Sequence, residues 1–399
     1  LSAVVILAVA WHAAAEAKQH PALWPLLGLL QAGLTAVFVT GDLFNAYVGL
    51  ELVGVAAVGL VALGGKPAWE PALRYLLIAV LGSLLFLVAL GVVYGATGTL
   101  DLRLAGQRWP DVGVDALWVL ALAGLGLALK AALFPLHGWL PPAHAAAPTA
   151  ASPLLSGLVV KAPLVVLLRL WFEVTDGHLA VAAAAAVMGT GAIVWGGVMA
   201  LRQRRLKRVV AYSTVAQVGY LFLVLPLTLP GTDATVQRYA LGGLVTLAVS
   251  HGLAKAALFL VASTLKSRHG TDDLDTLPGL AEAWPPMLLA MGLAAISLIG
   301  VPVSAGFAGK WQLLSAAVLP GHWWLVAVLL GGSVLSAAYL LRPVAGSLKD
   351  PETDDVAAAW PTLGWRHALA PLGLALLAVL LGFSASGLVE LALVGWEAR

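Results

Sequence analysis

Long apolar runs, closed off by proline, glycine and the few charged residues, recur through this chain with only short loops between them. A helical bilayer crossing needs about 20 apolar residues, and the runs supply twelve candidates near 1–14, 22–40, 43–63, 72–95, 115–134, 152–174, 179–200, 209–229, 238–265, 284–319, 323–346 and 367–394. With 61% apolar and 11% charged residues, a water-soluble fold would lack the polar surface to cover its core. The sequence therefore predicts an all-α polytopic membrane protein with about 12 transmembrane helices, residues 1–399 forming one membrane domain. The opening LSAVVILAVAWHAAAEA has neither a charged n-region nor a cleavage site and is not read as a signal peptide.

Lysine and arginine counts set the orientation, because positive loops stay in the cytoplasm. Alternate loops hold Lys18, Lys66, Arg74, Arg202, Arg204, Arg205, Lys207, Arg208, Lys266, Arg268, Arg342, Lys349 and Arg366, while the other set holds Arg103, Arg108 and Arg238, with Arg169 near a helix end. This places the 199–209 loop (RQRRLKR) in the cytoplasm and both termini on the other side of the cell membrane. Those clustered positives also read as a lipid-headgroup contact. Tryptophans near span ends, such as Trp11, Trp24, Trp109, Trp323 and Trp324, read as interface anchors. No basic groove interleaved with aromatics points to nucleic acid. The absence of cysteine excludes disulfides, thiolate metal sites and Cys-ligated clusters.

Two spans are interrupted. LALKAALFPLHGWLPPAHAAAPTAASP carries Pro135, Pro141, Pro142, Pro148 and Pro153, and SLIGVPVSAGFAGKW carries Gly300, Pro302, Gly306 and Gly309. Backbone freed at membrane depth must be buried in protein or line a watery cavity. Each interrupted span is fourth in a set of five, the sets being 22–174 and 179–346, with 367–394 as a C-terminal helix. An odd-numbered unit repeated in tandem inserts upside down, so two inverted five-helix repeats are expected, each with a broken fourth helix.

Four of nine lysines, Lys130, Lys161, Lys255 and Lys310, fall inside spans, where each costs about 2.5–3.5 kcal/mol on insertion scales. Glu51 and His251 are similarly deep. Burial disfavours a charged amine and a nearby carboxylate favours it, so moving the carboxylate toggles a proton. A series of such groups, bridged by histidine and water, is a proton relay. Blander readings stay open: Lys161 and Lys255 snorkelling to the headgroups, Glu51 and Lys130 as a static pair, His251 as a satisfied interhelical hydrogen bond. His137 and His144, seven apart in a proline-broken loop, make a weak metal pair, and no metal or cofactor site is assigned. GGKPAWEP and GATGTLDL lack the spacing of a phosphate cradle.

The stretches TGDLFNAYVGLELVG, ALKAALFPLHGWLPPAHAAAPTAASPLLSGLVVK, LKRVVAYSTVAQVGYL, SHGLAKAALFLVAS and SLIGVPVSAGFAGKWQLL resemble, in order over most of 40–320, the antiporter-like membrane subunits shared by respiratory complex I, Mrp-type Na⁺/H⁺ antiporters and membrane-bound hydrogenases. TGDLFNAYVGLE, YGATGTLDL and GVPVSAGFAGKW look closest to the Mrp D-type and hydrogenase-type branches. The resemblance implies roles for the residues already singled out. Glu51 looks like the carboxylate that pairs with the broken-helix lysine, Lys130 like that lysine, and Lys161 like the lysine of the next helix. His251 looks like the central histidine, Lys255 like the basic residue one turn on, and Lys310 like the lysine of the second broken helix.

By analogy, protons enter around Lys130 and Lys161, cross through His251 and leave past Lys310, with or without coupled Na⁺ or K⁺. The resemblance also implies lipid, other membrane subunits and further antiporter-like subunits as partners, one beside the Glu51 helix and another beside Lys310. It implies no cofactor on this chain and leaves open whether the complex is an ion-pumping oxidoreductase. Family members usually have fourteen spans, and this sequence starts where the third would. No long amphipathic helix follows residue 394, unlike the largest complex I subunit. Two other functions remain in play: a stand-alone secondary transporter holding a small solute at the broken-helix dipoles, and a membrane partner in an inorganic-carbon uptake complex.

Overall fold

The computed structural model of the chain describes residues 1–16, 20–350 and 360–394; Lys18 of the charge count lies outside them. The described residues are helical, with two isolated β-bridges and no strand. In chain order the helices are α1 (Ser2–Ala14), α2 (Leu23–Val39), α3 (Leu43–Ala62), α4 (Lys66–Thr97), α5 (Leu102–Arg108), α6 (Ala116–Lys130), α7 (Leu140–Ala146), α8 (Ala151–Gly157) and α9 (Ala162–Arg169). There follow α10 (Leu179–Leu201), α11 (Leu206–Phe222), α12 (Ala234–Thr264), α13 (Leu280–Ala283), α14 (Pro285–Ile299), α15 (Ala305–Val318), α16 (Trp323–Ser347), α17 (Trp365–Leu380) and α18 (Ala385–Leu393). Among the described residues eight helical stretches are long and apolar enough to cross a membrane, and α1, α2, α6 and α14 are shorter apolar helices. Together they fall on the twelve runs that the sequence marks.

Acids outside the interior start helices. Asp42, Asp101, Asp115 and Asp233 accept backbone N–H groups of Asn45 (2.8 Å), Leu104 (2.9 Å), Leu117 (2.8 Å) and Thr235 (2.8 Å), which satisfies donors that a helix start leaves free. The connections sort into two ends of the bundle. At one, Lys266 Nζ donates to the Ala145 carbonyl (2.9 Å), Arg342 to the carbonyls of Leu201 (2.8 Å) and Gln203 (3.1 Å), and Arg205 bridges Asp273. At the other, Asp42 bridges Asp101 and Trp171 Nε1 donates to the Thr228 carbonyl (3.2 Å). The first end carries the basic loops.

Two assignments change. Trp109, an interface anchor on the sequence reading, is buried, whereas Trp11, Trp24, Trp323 and Trp324 are exposed. Lys207, which counts with the loop positives, is also buried: it lies inside the first turn of α11, where its Nζ donates to the Ala147 carbonyl at 2.6 Å.

Both interruptions are real ends of helices. α6 stops at Lys130; Pro141 and Pro142 occupy the first turn of α7, where no backbone donor is lost. Between α14 and α15, Gly300 takes φ +85° and closes α14, Val303 sits at φ +82°, and Ser304 caps α15 by accepting from Phe307 N at 3.2 Å. A β-branched residue in the left-handed region is strained and persists only where its surroundings fix it. α15 approaches α14 so closely that a Cβ on Gly306 would overlap the Ser297 carbonyl. Gly306→Val is therefore expected to cost about 1–3 kcal/mol or more and to remove most monodisperse protein on gel filtration. Gly91→Ala, whose Cβ would meet nothing within 4 Å, is expected to leave that yield intact; equal yields from the two variants would contradict the packing.

Candidate functional site

The ionisable residues that the sequence singles out occupy the interior one after another in chain order. Glu51 sits mid-way along α3. Its Oε1 accepts from Lys130 Nζ at 2.9 Å and from the Ser83 hydroxyl of α4. The lysine side chain is 7% exposed and the carboxylate 34%, so the acid is the end of the line that faces outward. Lys130 is the last residue of α6, and the helix end frees carbonyls around it. Trp139 Nε1 takes up that of Leu129 (2.9 Å), while its ring stacks on Tyr75 at 4.0 Å. A Cβ on Gly82 would lie 3.2 Å from Lys130 Cγ, so glycine in α4 makes room for the lysine stem. A narrow cleft beside Lys130 is lined by Tyr75, Val159 and Pro163, the last two flanking Lys161 in sequence.

Lys161 stands between α8 and α9 and donates to the carbonyls of Ser156 (3.0 Å) and Gly157 (2.6 Å). His251, on α12, is in electrostatic reach of both Lys161 and Lys255. Its two ring nitrogens find no hydrogen-bond partner among the described residues, although the residue is buried. Lys255, one turn on and fully buried, donates to the Val210 carbonyl (2.9 Å) and to the Ser213 hydroxyl of α11. Both Lys161 and Lys255 are buried with their ammonium groups on backbone carbonyls inside the bundle.

Lys310, on α15, donates to the carbonyls of Leu298 and Ile299, both at 3.0 Å, and to Ser333 Oγ at 3.2 Å; its ammonium lies 4.6 Å from the Tyr220 ring centre. These carbonyls are the ones that α14 leaves free at its C-terminus, and the negative end of a helix dipole favours a cation there. Gln217, one turn beyond Ser213 on α11, donates to the same Leu298 carbonyl at 3.2 Å and lies 3.4 Å from Ser336. Ser213 and Gln217 thus lie one turn apart on α11, the first against Lys255 and the second on the carbonyl that Lys310 also uses.

No sequence signal marks these connectors, because serine, glutamine and tyrosine are cheap enough in membrane helices to pass as ordinary residues. His144 stands out in the sequence only as half of a weak metal pair. It is buried against Phe259 at 4.3 Å, in electrostatic reach of Lys207 and Lys255, with both ring nitrogens unpartnered among the described residues. Among the described residues no group of three or more histidines and carboxylates converges on a metal site.

Comparison with known proteins places this architecture. The family described as NADH:quinone oxidoreductase/Mrp antiporter, TM, matches residues 40–336. The N-type subunit of the NADH-quinone oxidoreductase of Desulforudis audaxviator is 35% identical over 332 residues, 82% of this chain and 65% of that protein. The D-type subunit of the Na⁺/H⁺ antiporter of Alkalihalophilus pseudofirmus is 31% identical over 345 residues, 85% of this chain and 68% of that one. A chain in the structure of the Mrp complex from Dietzia sp. superposes with a TM-score of 0.85 at 25% identity, covering 98% of this chain and 80% of its own. The chain thus spans about two thirds of the length of the curated relatives it matches. The family match spans most of the chain and the fold superposes on the Mrp chain over nearly its whole length: the chain belongs to the NADH:quinone oxidoreductase/Mrp antiporter family of multi-pass membrane subunits.

Proposed function

We propose that this chain translocates protons, alone or against Na⁺ or K⁺, as one membrane subunit of a hetero-oligomeric complex in the cell membrane. The observation that carries the reading is the row of ionisable groups Glu51, Lys130, Lys161, His251, Lys255, Lys310, the last five of them buried, with a 2.9 Å ion pair at one end and Lys310 seated on the freed carbonyls of α14 at the other. Intramembrane ionisable groups are costly and face the bundle interior when they serve transport. A proton taken up by Glu51 loosens its hold on the Lys130 ammonium, and each ammonium favours charge loss at the next amine along the line, so occupancy shifts stepwise.

Residues 22–174 and 179–346 act in this reading as two inverted units, α6–α7 and α14–α15 being their broken helices. The basic end of the bundle, with the 199–209 loop, faces the cytoplasm and both ends of the sequence face away from it. Neighbouring membrane subunits cover the outward Glu51 face, and the energy source lies on other chains. The names of the relatives, a quinone oxidoreductase subunit and a Na⁺/H⁺ antiporter subunit, support transport in a complex over a stand-alone carrier.

The test is proton uptake by vesicles holding the assembled complex, followed with a pH-sensitive dye. Gln217→Leu keeps the shape of the connector and removes its hydrogen bonds; it is expected to slow uptake about tenfold or more. Wild-type uptake in assembled Gln217→Leu would break the link between Lys255 and Lys310.

A further inference from the structure

α12 carries a second polar line that the six-residue chain does not use. Gly242, Thr246 and Ser250 follow at intervals of four and share one face, each step about 6 Å along the axis. α12 packs against α14, α15 and α18. Ser250 Oγ lies 2.8 Å from Ser297 Oγ, and Ser297 is the neighbour of Leu298, whose carbonyl holds Lys310. At the other end of the line, a Cβ on Gly242 would collide with the side-chain oxygen of Gln312. Between them Thr246 is fully buried, and its hydroxyl has no hydrogen-bond partner among the described residues. Buried hydroxyls are as a rule satisfied by protein or by ordered water. Past Gln312 the packing opens into a cavity of about 460 Å³ lined by Thr235, Arg238, Ser386 and Glu390. It lies at the start of α12, the end of the bundle away from the basic loops.

We propose that this line is the outlet of the proton path, running from Lys310 through Ser297, Ser250 and Thr246 to the Arg238/Glu390 cavity. The inference rests on the transport reading above. Water bridges the steps too long for a direct bond. Ser297 Oγ donates to the Ala378 carbonyl at 3.0 Å at rest and turns that hydrogen toward Ser250 as it accepts one from the group behind it; the later hydroxyls pass their own hydrogen forward in the same way. One proton leaves the Lys310 ammonium, one reaches the cavity, and the hydroxyls end chemically unchanged but reoriented. The amine left at Lys310 is recharged by a proton from Lys255, the preceding ammonium of the line, carried over water. Glu390 receives the proton at the mouth, and the positive charge of Arg238 beside it favours its release to bulk water.

Because the chain has no cysteine, a single cysteine is the one thiol on it, and the response of the unsubstituted complex to Ag⁺ gives the background from the other subunits. The test uses the assembled complex in vesicles of each orientation, probed with Ag⁺, with Lys130→Ala measured in parallel. Thr246→Cys is expected to be blocked by Ag⁺ added from the side opposite the basic loops, as is Ser386→Cys at the mouth. Ala257→Cys, buried on the same helix, is expected to be untouched. Thr246→Val, which removes only the hydroxyl, is expected to slow proton flux about tenfold, and Thr246→Ser to restore it. Ag⁺ reaching Thr246→Cys only from the basic-loop side, or from neither side, would overturn the outlet, as would wild-type flux in assembled Thr246→Val. If Thr246→Val fails to assemble, the Ag⁺ result decides. Should Lys130→Ala stop flux while Thr246→Val does not, the outlet alone is wrong; wild-type flux in Lys130→Ala removes the transport reading itself.

Discussion

Lys130→Ala is expected to lower proton flux by about 100-fold or more in a complex that still assembles. The lysine ends α6 against Glu51 of α3, and no other amine among the described residues is paired with that carboxylate. Removing the ammonium leaves the acid with the Ser83 hydroxyl alone. The carboxylate is partly exposed, so the fold survives that loss while the exchange of charge between the two groups stops. A static structural pair predicts something different. For such a pair the single variants suffer from an uncompensated charge, and Lys130→Met with Glu51→Gln relieves it. A relay loses its function in all three variants. Proton uptake by vesicles, with assembly checked by native electrophoresis, separates the two; recovery of flux in the double variant would show the pair to be structural.

Lys310 is expected to behave in two parts. Its ammonium satisfies two carbonyls at the broken end of α14 and holds Ser333. Lys310→Met strips all three bonds inside the bundle; the Leu298 carbonyl keeps Gln217, but the Ile299 carbonyl loses its ammonium partner, and an acceptor left unpaired costs about 1–3 kcal/mol. This variant is expected to lose both flux and several degrees of thermal stability. Lys310→Gln keeps two N–H donors for the same carbonyls but binds no transferable proton. It is expected to recover most of the stability with flux still near background. Thermal unfolding in detergent read beside vesicle uptake checks the split. Flux returning with stability in Lys310→Gln would make the residue a cap and not a carrier.

Charges inside apolar runs announce themselves, and for that reason Glu51, the four lysines and His251 are all legible as one group from the sequence. Proline and glycine mark both helix breaks for a comparable reason, since each removes or loosens a backbone hydrogen bond. The wiring is not legible. Ser213, Gln217, Ser297 and Thr246 cost little to insert, so nothing in their spacing separates a connector from a packing residue; only the meeting of α11, α12 and α14 does so. Lys207 escapes a sequence reading because its position at a span end fits a loop charge, whereas α11 starts early enough to turn it inward onto the Ala147 carbonyl. Trp109 escapes it for the same kind of reason: a tryptophan beside a loop is an anchor only if its ring faces lipid, and the turn after α5 folds it against the bundle.

A map of the assembled complex fine enough to resolve ordered water bears most directly on the central claim. The account predicts water in the cleft between Lys130 and Lys161 and between Lys161 and His251, completing hydrogen bonds to both nitrogens of that ring. Dry, apolar packing at either place, with His251 bonded to a side chain and no water near the lysines, would contradict it.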